Sequence, residues 1–463
     1  MKHRLSRRHT LALIGGASAA FVPGGIRAFA GQEDFAALGE DVKAEFKWAW
    51  DHYVDRAWGQ DEINPVSGTS RSFFIEGQTL GLSLVEALGT LWIMELDEEF
   101  QAGIDWVKSN LNFDIDAHSQ TFETNIRLVG GLVSAHLASG DPVILEKAKD
   151  LADRLMKAFD ASPHGLPYRY VNLRTGAVRD PETNLAEIGT YAAEFGVLGQ
   201  LVGDDRYYAA AKRAMKHALD RRSSLGLMAA NIHAETGEFI SRNASVDVYA
   251  DSFYEYLWDS WDLFGDAEMK TWAEECVDSI IRHQGKRYEG LIWYPMVDYE
   301  TGEVTGPSQT VLGAYLAGLM GQVGRKAEGD DFLATYTTMQ ERFTIIPEST
   351  DVRTATPRGL RTGLRPEYAD ACLNLWQGDR NERYRELTAI HWRNMKATSK
   401  AQYGFTSLAD ISTRPMGQGD NCPGYWWSEQ MKYYYLMFAK PRRVDLDRLA
   451  LSTEASILRG YVR

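Results

Sequence analysis

The stretch from Leu364 to Tyr384, LRPEYADACLNLWQGDRNERY, contains one complete structural unit of this chain. Arg365-Pro366-Glu367 predicts the start of a helix, because proline suits the first helical turn. Gly378-Asp379 ends the apolar run that follows, and Tyr384 lies in the next predicted helix. The stretch therefore predicts a helix, a tight turn and a second helix, with a carboxylate at the opening.

The same unit recurs along the chain. A Gly-Asp pair follows an apolar helical run at Gly140-Asp141, Gly203-Asp204, Gly265-Asp266, Gly329-Asp330 and Gly378-Asp379. Successive Asp residues of these pairs are 63, 62, 64 and 49 positions apart. A period of about sixty residues predicts a repeat architecture, and a single toroid of seven helical hairpins would use all of residues 31–463.

Carboxylates recur along the chain at spacings close to this period. They are Glu123, Glu187 and Asp251, which are 64 apart, then Glu367 after 116 positions and Glu429 after a further 62. If each unit is an inner helix plus an outer helix, a closed ring would gather these acids at one end of one cavity. The alternative is that acids favour the N-terminus of any helix. Glu123 and Arg127 share a helix face in a buried-looking segment, so we expect this pair to face the cavity.

Residues 1–30 are predicted to be a twin-arginine signal peptide. Ser6-Arg7-Arg8-His9-Thr10-Leu11 matches the twin-arginine pattern, Leu11–Phe21 is a short apolar segment, and Ala28-Phe29-Ala30 is a small-residue cleavage site. The apolar segment is too short to span a bilayer well, and we expect no membrane insertion. The mature chain is expected to start near Gly31, to be periplasmic or secreted in a bacterium, and to form a single catalytic domain over 31–463.

Charge and cysteine content narrow the class of protein. Removing residues 1–30, which hold five Lys or Arg and no acid, takes the formal charge from −14 to −19. This surface disfavours nucleic acid and anionic membranes, and suits a neutral substrate or a cation. Cys276, Cys372 and Cys422 allow at most one disulfide, and no Cys/His spacing resembles a zinc site. Thirteen Trp and 22 Tyr supply faces for sugar rings or fill helix interfaces.

Several converging carboxylates with arginine partners and aromatic residues are typical of a glycosidase. In such an enzyme one acid protonates the leaving oxygen and another activates water. The chain has no Gly-rich phosphate loop, no Gly-x-Ser-x-Gly elbow and no His-Glu-x-x-His helix. These absences argue against kinase, α/β-hydrolase and zinc-protease chemistry.

Eight segments resemble glycoside hydrolase family 47, the class I α-mannosidases, in the order of that family. They are LVEALGTLWIMELDEEF, FETNIRLVGGLVSAH, GLPYRYVNLRTG, LAEIGTYAAEF, ADSFYEYLWDSW, LRPEYADACLNLW, SEQMKYYYLMF and STEA. Together they span nearly the whole mature chain. The resemblance implies an all-α fold, an (α/α)7 barrel with small β-hairpins and a C-terminal segment folded back into the barrel, which agrees with the repeat.

The resemblance also implies roles for individual residues. Glu123 matches the proposed general acid, and Glu367 matches the general base of an inverting reaction. Asp251 matches a second catalytic carboxylate, which is also discussed as the acid, acting through water. Inversion needs a water between base and anomeric carbon, so we expect about 6.5–9.5 Å between acid and base carboxyls. Thr453, which on sequence alone is an ordinary turn residue, matches the residue that binds Ca²⁺ through its carbonyl and hydroxyl oxygens. Oxygen-only ligation suits this ion.

Further positions match residues that line the sugar site or hold the waters of the ion. They are Arg127, Glu187, Arg365, Asp370, Glu429 and Glu454, with Tyr425 where a Phe normally stacks on the sugar. The chain also departs from the family pattern: Asp370 is usually Glu, Tyr249 stands where Arg is common, and Pro423 stands where an acid is usual. The segment GLIWYPM lacks the family's His-x-x-Cys-Phe arrangement. These departures leave the linkage preference open.

The sequence thus predicts a monomeric, Ca²⁺-dependent, inverting exo-α-mannosidase that acts on α-1,2-linked mannose in oligosaccharides. One alternative is a lectin-like relative that binds mannose without turnover. Another is a helical-toroid glycosidase or lyase of other specificity.

Overall fold

The computed structural model describes residues 33–462, so the predicted signal peptide lies outside the described residues. Within the described part, the chain forms two concentric rings of helices. The outer ring consists of α1 (Phe35–Ala57), α3 (Asp97–Asn110), α6 (Pro142–Asp160), α9 (Arg206–Leu219), α11 (Ala267–His283), α13 (Lys326–Phe343) and α15 (Glu382–Ser399). The inner ring consists of α2 (Leu82–Ile93), α4 with α5 (Thr121–Glu123 and Gly130–Ser139), α7 with α8 (Leu185–Gly189 and Ala192–Val202), α10 (Asp251–Phe264), α12 (Tyr315–Gln322), α14 (Glu367–Asp379) and α16 (Met431–Phe438).

The inner ring closes on itself. Each inner segment packs against the next, and the residues just before α16 pack against α2. The last inner helix, α16, also packs against α1, the first outer helix, so the two ends of the chain complete the seventh hairpin. The part of the chain that the structure describes is therefore an (α/α)7 toroid, as the repeat and the resemblance predicted.

Burial explains which helices lie inside. Nearly every residue of α2 is buried, because this helix packs on several sides. Helix α6 instead buries one stripe, with Ile144, Ala148, Leu151 and Leu155 at spacings of three and four residues. Asp141 caps this outer helix by accepting a hydrogen bond from the backbone N–H of Val143 at 2.9 Å.

Three of the five predicted Gly-Asp turns lie where they were expected. Gly140, Gly203 and Gly265 end inner helices in the left-handed conformation, which suits glycine. The prediction was wrong for Gly329-Asp330, which lies inside α13. A Cβ on Gly329 would lie 2.5 Å from the carbonyl oxygen of Ala317 on α12, so this glycine permits close helix packing and does not form a turn.

The fifth pair, Gly378-Asp379, forms the last two residues of α14 instead of stopping it. The left-handed cap is the next residue, Arg380, at a φ of 57°.

Short antiparallel strands lie in the connections that run from each outer helix to the next inner helix. The strands are β1 (Glu62–Asn64), β2 (Thr69–Arg71), β3 (His118–Gln120), β4 (Tyr170–Asn172), β5 (Val178–Arg179), β6 (Glu182–Asn184), β7 (Asn231–His233), β8 (Asn243–Ala244), β9 (Lys286–Tyr288), β10 (Leu291–Trp293), β11 (Met296–Asp298), β12 (Val304–Gly306), β13 (Ser308–Thr310), β14 (Ser349–Asp351), β15 (Thr356–Pro357), β16 (Leu408–Asp410) and β17 (Gly417–Gln418). They pair as β1-β2, β3-β4-β5, β6-β7, β8-β11-β12, β9-β10, β13-β14-β15 and β16-β17. Residues 290–302 belong to two successive hairpins, β9-β10 and β11-β12.

The C-terminal segment folds back into the barrel, as predicted. Strands β18 (Ala450–Leu451) and β19 (Ile457–Arg459) pair with each other, and β19 packs on α5 and α8. The backbone N–H of Ile457 donates to Ser134 Oγ at 3.1 Å, and Lys432 Nζ donates to the carbonyl oxygen of Ala455. The turn between the strands is thereby anchored inside the inner ring. Among the described residues no helix is long and apolar enough to cross a membrane.

Close packing of the inner ring gives a stability prediction. A Cβ on Gly131 of α5 would lie 2.8 Å from Val85 Cγ1 and 3.1 Å from the Val85 carbonyl oxygen on α2. We expect Gly131→Ala to destabilise the fold by about 1–3 kcal/mol, because the two helices must move apart. Gly378→Ala is the matched control, because no atom lies within 4 Å of its added Cβ. Urea unfolding compares the two variants, and an equal effect of both would contradict the packing argument.

Candidate active site

One end of the toroid encloses a cavity of about 360 Å³. All eleven site residues predicted from the sequence line this cavity: Glu123, Arg127, Glu187, Asp251, Arg365, Glu367, Asp370, Tyr425, Glu429, Thr453 and Glu454. The structure therefore brings together residues spread over 332 positions of sequence, from 123 to 454.

Three inner segments carry a cavity carboxylate in their first turn. Asp251 and Glu367 are the first residues of α10 and α14. Glu187 lies in the first turn of α7, where Asn184 accepts a hydrogen bond from its backbone N–H at 2.9 Å. Because these helices start at the same end of the barrel, their first turns point carboxylates into one space. The repeat of 64 residues had predicted this arrangement.

Two further site residues lie on π-helices. Thr124–Val129 carries Arg127, and Trp426–Gln430 carries Glu429. A π-helix is rare and often marks a functional site. It re-aims side chains relative to a regular α-helix, and no composition signal in these segments had predicted it.

Arg127 binds three carboxylates in the wall of the cavity. Its Nε donates to Glu123 Oε2 at 2.6 Å, and its Nη1 donates to Glu86 Oε1 and Glu454 Oε2 at 3.0 Å each. The guanidinium is buried, and the three carboxylates raise its pKa well above the usual value against the opposing effect of burial. It therefore stays charged and connects three parts of the chain: α4, the neighbouring helix α2 and the C-terminal turn.

A second arginine orders the aromatic side of the cavity. Arg365 donates from Nε to Glu348 Oε1 at 2.8 Å, and its guanidinium carbon lies 5.4 Å from the centre of the Tyr425 ring. Glu348 also accepts from the backbone N–H of Gly363 at 2.8 Å. The guanidinium carbon of Arg127 lies 5.9 Å from the centre of the same ring, so Tyr425 lines the cavity with two cations beside it.

The two carboxyls of greatest chemical interest have perturbed pKa values. Burial, together with the negative charges of Asp247 and Glu367, raises the pKa of Asp251 to about 7. Burial also raises the pKa of Glu367 to about 7, although the charge of Arg365 opposes the shift. Glu367 Oε2 is buried and has no hydrogen-bond partner within residues 33–462. Perturbed carboxyls with an open hydrogen-bonding position are typical of catalytic sites.

Glu187 has a different environment. It accepts hydrogen bonds from Arg169 Nε at 2.9 Å, Gln120 Nε2 at 3.0 Å and Thr183 Oγ1 at 2.9 Å. This carboxylate is held rigidly by its neighbours, which suits a residue that binds or positions a ligand.

The floor of the cavity is the turn that contains Thr453. Its Oγ1 donates to Glu255 Oε2 at 3.1 Å, and its backbone N–H lies 3.4 Å from the Tyr256 hydroxyl. Asp370 and Glu429 also line the cavity, and burial raises the pKa of both carboxyls. Asp370 Oδ2 has no hydrogen-bond partner in the described part of the chain. So many enclosed acids favour a bound cation.

The arrangement limits how a cation could be held. Among residues 33–462, no three or more His, Cys, Asp or Glu side chains are placed to hold a metal ion directly. The resemblance assigns the acids around Thr453 a different role, that of holding the waters of the ion.

Sequence reasoning missed several residues of the cavity and its wall. Glu255 lies one turn after Asp251 on the same face of α10, a spacing that could have identified it. Glu86 is the single acid of the apolar helix α2, which could have marked it as a buried partner. Glu348, in contrast, follows no pattern, because it lies in the irregular connection before α14.

A seven-hairpin toroid with a carboxylate-lined cavity at one end is the architecture of a helical-barrel glycoside hydrolase. The family model of Glycosyl hydrolase family 47 matches residues 45–460. The chain belongs to glycosyl hydrolase family 47.

Named relatives and a solved structure agree with this family. Alpha-mannosidase I MNS5 of Arabidopsis thaliana is 32% identical over 426 residues, which cover 86% of this chain and 73% of that protein. Human mannosyl-oligosaccharide 1,2-alpha-mannosidase IB is 30% identical over 449 residues, which cover 90% and 69%. The alpha-1,2-mannosidase from Trichoderma reesei shares the fold, with a TM-score of 0.83 and 23% identity over 92% of this chain and 99% of that one. All three sources are eukaryotic, so a bacterial source stays a prediction from residues 1–30.

The raised pKa of Glu367 predicts a pH-dependent cost in stability. Between about pH 4.5 and 7 the folded protein keeps a proton that the unfolded chain has lost, so stability falls as pH rises through this window. Glu367→Gln removes the ionisable group. We expect the change that it makes in the free energy of unfolding to be more stabilising at pH 8 than at pH 4.5, by on the order of 1–3 kcal/mol.

Urea unfolding in EDTA at the two pH values measures this difference. The control is Glu146→Gln, which makes the same substitution on the exposed face of α6. A Glu367→Gln effect that is equal at both pH values would contradict the assigned pKa.

Proposed function

We propose that this protein is an inverting exo-α-mannosidase that hydrolyses α-1,2-linked mannose in oligosaccharides with the help of a Ca²⁺ ion. The observation that carries the proposal is the convergence of Glu123, Asp251 and Glu367 on one cavity whose floor contains Thr453. The relatives named above as 1,2-alpha-mannosidases support the linkage.

The carboxyls divide the proton transfers between them. Glu367, once ionised, removes a proton from a water that attacks the anomeric carbon, and its unpartnered Oε2 offers the acceptor for that water. Glu123 or Asp251 delivers a proton to the glycosidic oxygen as its bond to the anomeric carbon breaks. The raised pKa of Asp251 favours the protonated form that an acid needs. Attack from the face opposite the leaving group gives β-mannose.

The floor of the cavity fits Ca²⁺. The carbonyl and hydroxyl oxygens of Thr453 would bind the ion, and Glu255, Asp370 and Glu429 would hold its waters. When bound, the ion supplies a positive charge and coordination sites for two sugar hydroxyls. Arg127, Glu187 and Glu454 would position the sugar from the wall, and Tyr425 would stack on it.

Proton NMR of residues 31–463 with α-1,2-mannobiose tests the proposal. We expect β-mannose to appear first, because water attacks opposite the leaving group. EDTA should abolish release and Ca²⁺ should restore it. Glu367→Gln should lower kcat by about a hundredfold or more while sugar binding persists, because the base is lost.

Other outcomes would separate the alternatives. If α-mannose appears first, the reaction is not inverting. If EDTA has no effect, the enzyme is a toroid glycosidase of different chemistry. Binding of mannobiose with no release would favour the lectin-like alternative.

For the location of the protein, we propose twin-arginine export to the periplasm or the medium, on the basis of the pattern at Arg7-Arg8. In a Gram-negative host we expect the full chain to be cleaved near Gly31 and exported, and changing both arginines to lysine should retain the uncleaved protein in the cytoplasm. Arg27→Lys, which lies outside the pair, serves as the control. Fractionation and N-terminal sequencing measure both; unchanged export of the double variant would exclude this route.

A further inference from the structure

Tyr249 has a strained backbone at the cavity. Its φ is 83°, a left-handed conformation that bulky residues rarely adopt. The strain is held in place from both sides: the backbone N–H of Ala186 donates to the Tyr249 carbonyl at 3.0 Å, and Asp251 N donates to the carbonyl of Asp247 at 3.2 Å. Glycine would adopt this conformation without strain, whereas a tyrosine at this position carries it.

The Tyr249 side chain has no recorded side-chain partner in the part of the chain that the structure describes. It is 45% exposed, although large apolar side chains in this protein are mostly buried. Within residues 33–462 the structure records no ring contact, ion pair or hydrogen bond of the Tyr249 side chain, whereas many other tyrosines pack in the core. Tyr249 nevertheless lines the cavity, two residues before Asp251. A strained, unpartnered aromatic residue at a cavity is a candidate for ligand contact.

The position of Tyr249 identifies which part of a ligand it would contact. The cavity floor is the turn Ser452–Ala455, in which Ser452, Glu454 and Ala455 are buried. Asp251 and Glu367 also line the cavity, and Tyr249, at 45% exposed, is more open to solvent than either of these partly buried residues. A sugar that reaches the floor must therefore leave the rest of its glycan at the opening, beside Tyr249.

We propose that Tyr249 is a stacking platform for the pyranose ring on the leaving-group side of the scissile bond. The inference rests on the proposed function and extends it to the second sugar of the substrate. The flat apolar face of a pyranose packs well on an aromatic ring, and the backbone strain presents that ring to the opening. Because stacking needs no particular hydroxyl pattern, the platform accepts the sugar ring without fixing its identity.

Two substrates separate this platform from the rest of the site. α-1,2-Mannobiose places a sugar on the leaving-group side, whereas α-mannosyl fluoride places only a fluoride there. We expect Tyr249→Ala to lower kcat/KM for mannobiose about five- to tenfold and to change that for mannosyl fluoride less than twofold. Tyr249→Phe should retain most of the mannobiose activity, because the ring face is kept. Ile240→Ala, which changes an equally exposed residue outside the cavity lining, should affect neither substrate.

The Tyr249→Gly variant shows whether a loss of activity comes from the missing ring or from a defect in folding. Glycine relieves the strain at a φ of 83°, so the melting temperature should stay the same or rise by ~2–4 °C. The same variant should lose mannobiose activity as the alanine variant does. A glycine variant with unchanged kcat/KM for mannobiose would overturn the platform, and so would an equal loss for both substrates.

A binding experiment tests the platform independently of turnover. In a Glu367→Gln background, calorimetry compares mannobiose with methyl α-mannoside, which lacks the second sugar. Adding Tyr249→Ala should weaken mannobiose binding about five- to tenfold and leave methyl mannoside unchanged. Equal affinities with and without Tyr249→Ala would overturn the platform. Failure of the proposed hydrolysis would instead appear as a wild-type protein that releases neither mannose nor fluoride.

Discussion

The contacts of the Arg127 guanidinium hold the site together. Three carboxylates from separate parts of the chain meet one buried cation: Glu86 from α2, Glu123 from α4, and Glu454 from the C-terminal turn. Burying Glu86 and Glu454 without a partner would cost several kcal/mol each, so both positions require the arginine. Gly424 shows how tightly this wall is built, because a Cβ there would lie 1.7 Å from Glu86 Oε2. Arg127 thereby joins α2, α4 and the C-terminal turn at the cavity.

Residues whose positions follow from the repeat could be predicted from the sequence, whereas residues that irregular contacts hold in place could not. Glu123, Glu187 and Asp251 were identifiable because a hairpin of constant length returns the chain to the same depth. Gly329 misled the turn prediction because a glycine chosen for close helix packing has the same sequence signal as a glycine chosen for a left-handed turn.

The links across the barrel depended on the resemblance. The contact between Arg127 and Glu454 joins residues 327 positions apart, and nothing in the local sequence of either segment points to the other. Glu348 had neither a repeat nor a resemblance to identify it. Its role became visible only through its contacts with Arg365 and Gly363.

The cavity has properties that reduce stability and serve chemistry. Burial raises the pKa of Asp251, Glu367 and Asp370 to about 7, so each ionised carboxylate costs folding free energy near neutral pH. Tyr249 adds backbone strain beside the same carboxylates. A rigid surround must compensate for both. The closed inner ring supplies it, since its helices pack closely enough that Gly131, Gly189 and Gly196 leave no room for a methyl group. Tight packing of the ring is thus what allows carboxylates and a strained aromatic residue to be held where a sugar would meet them.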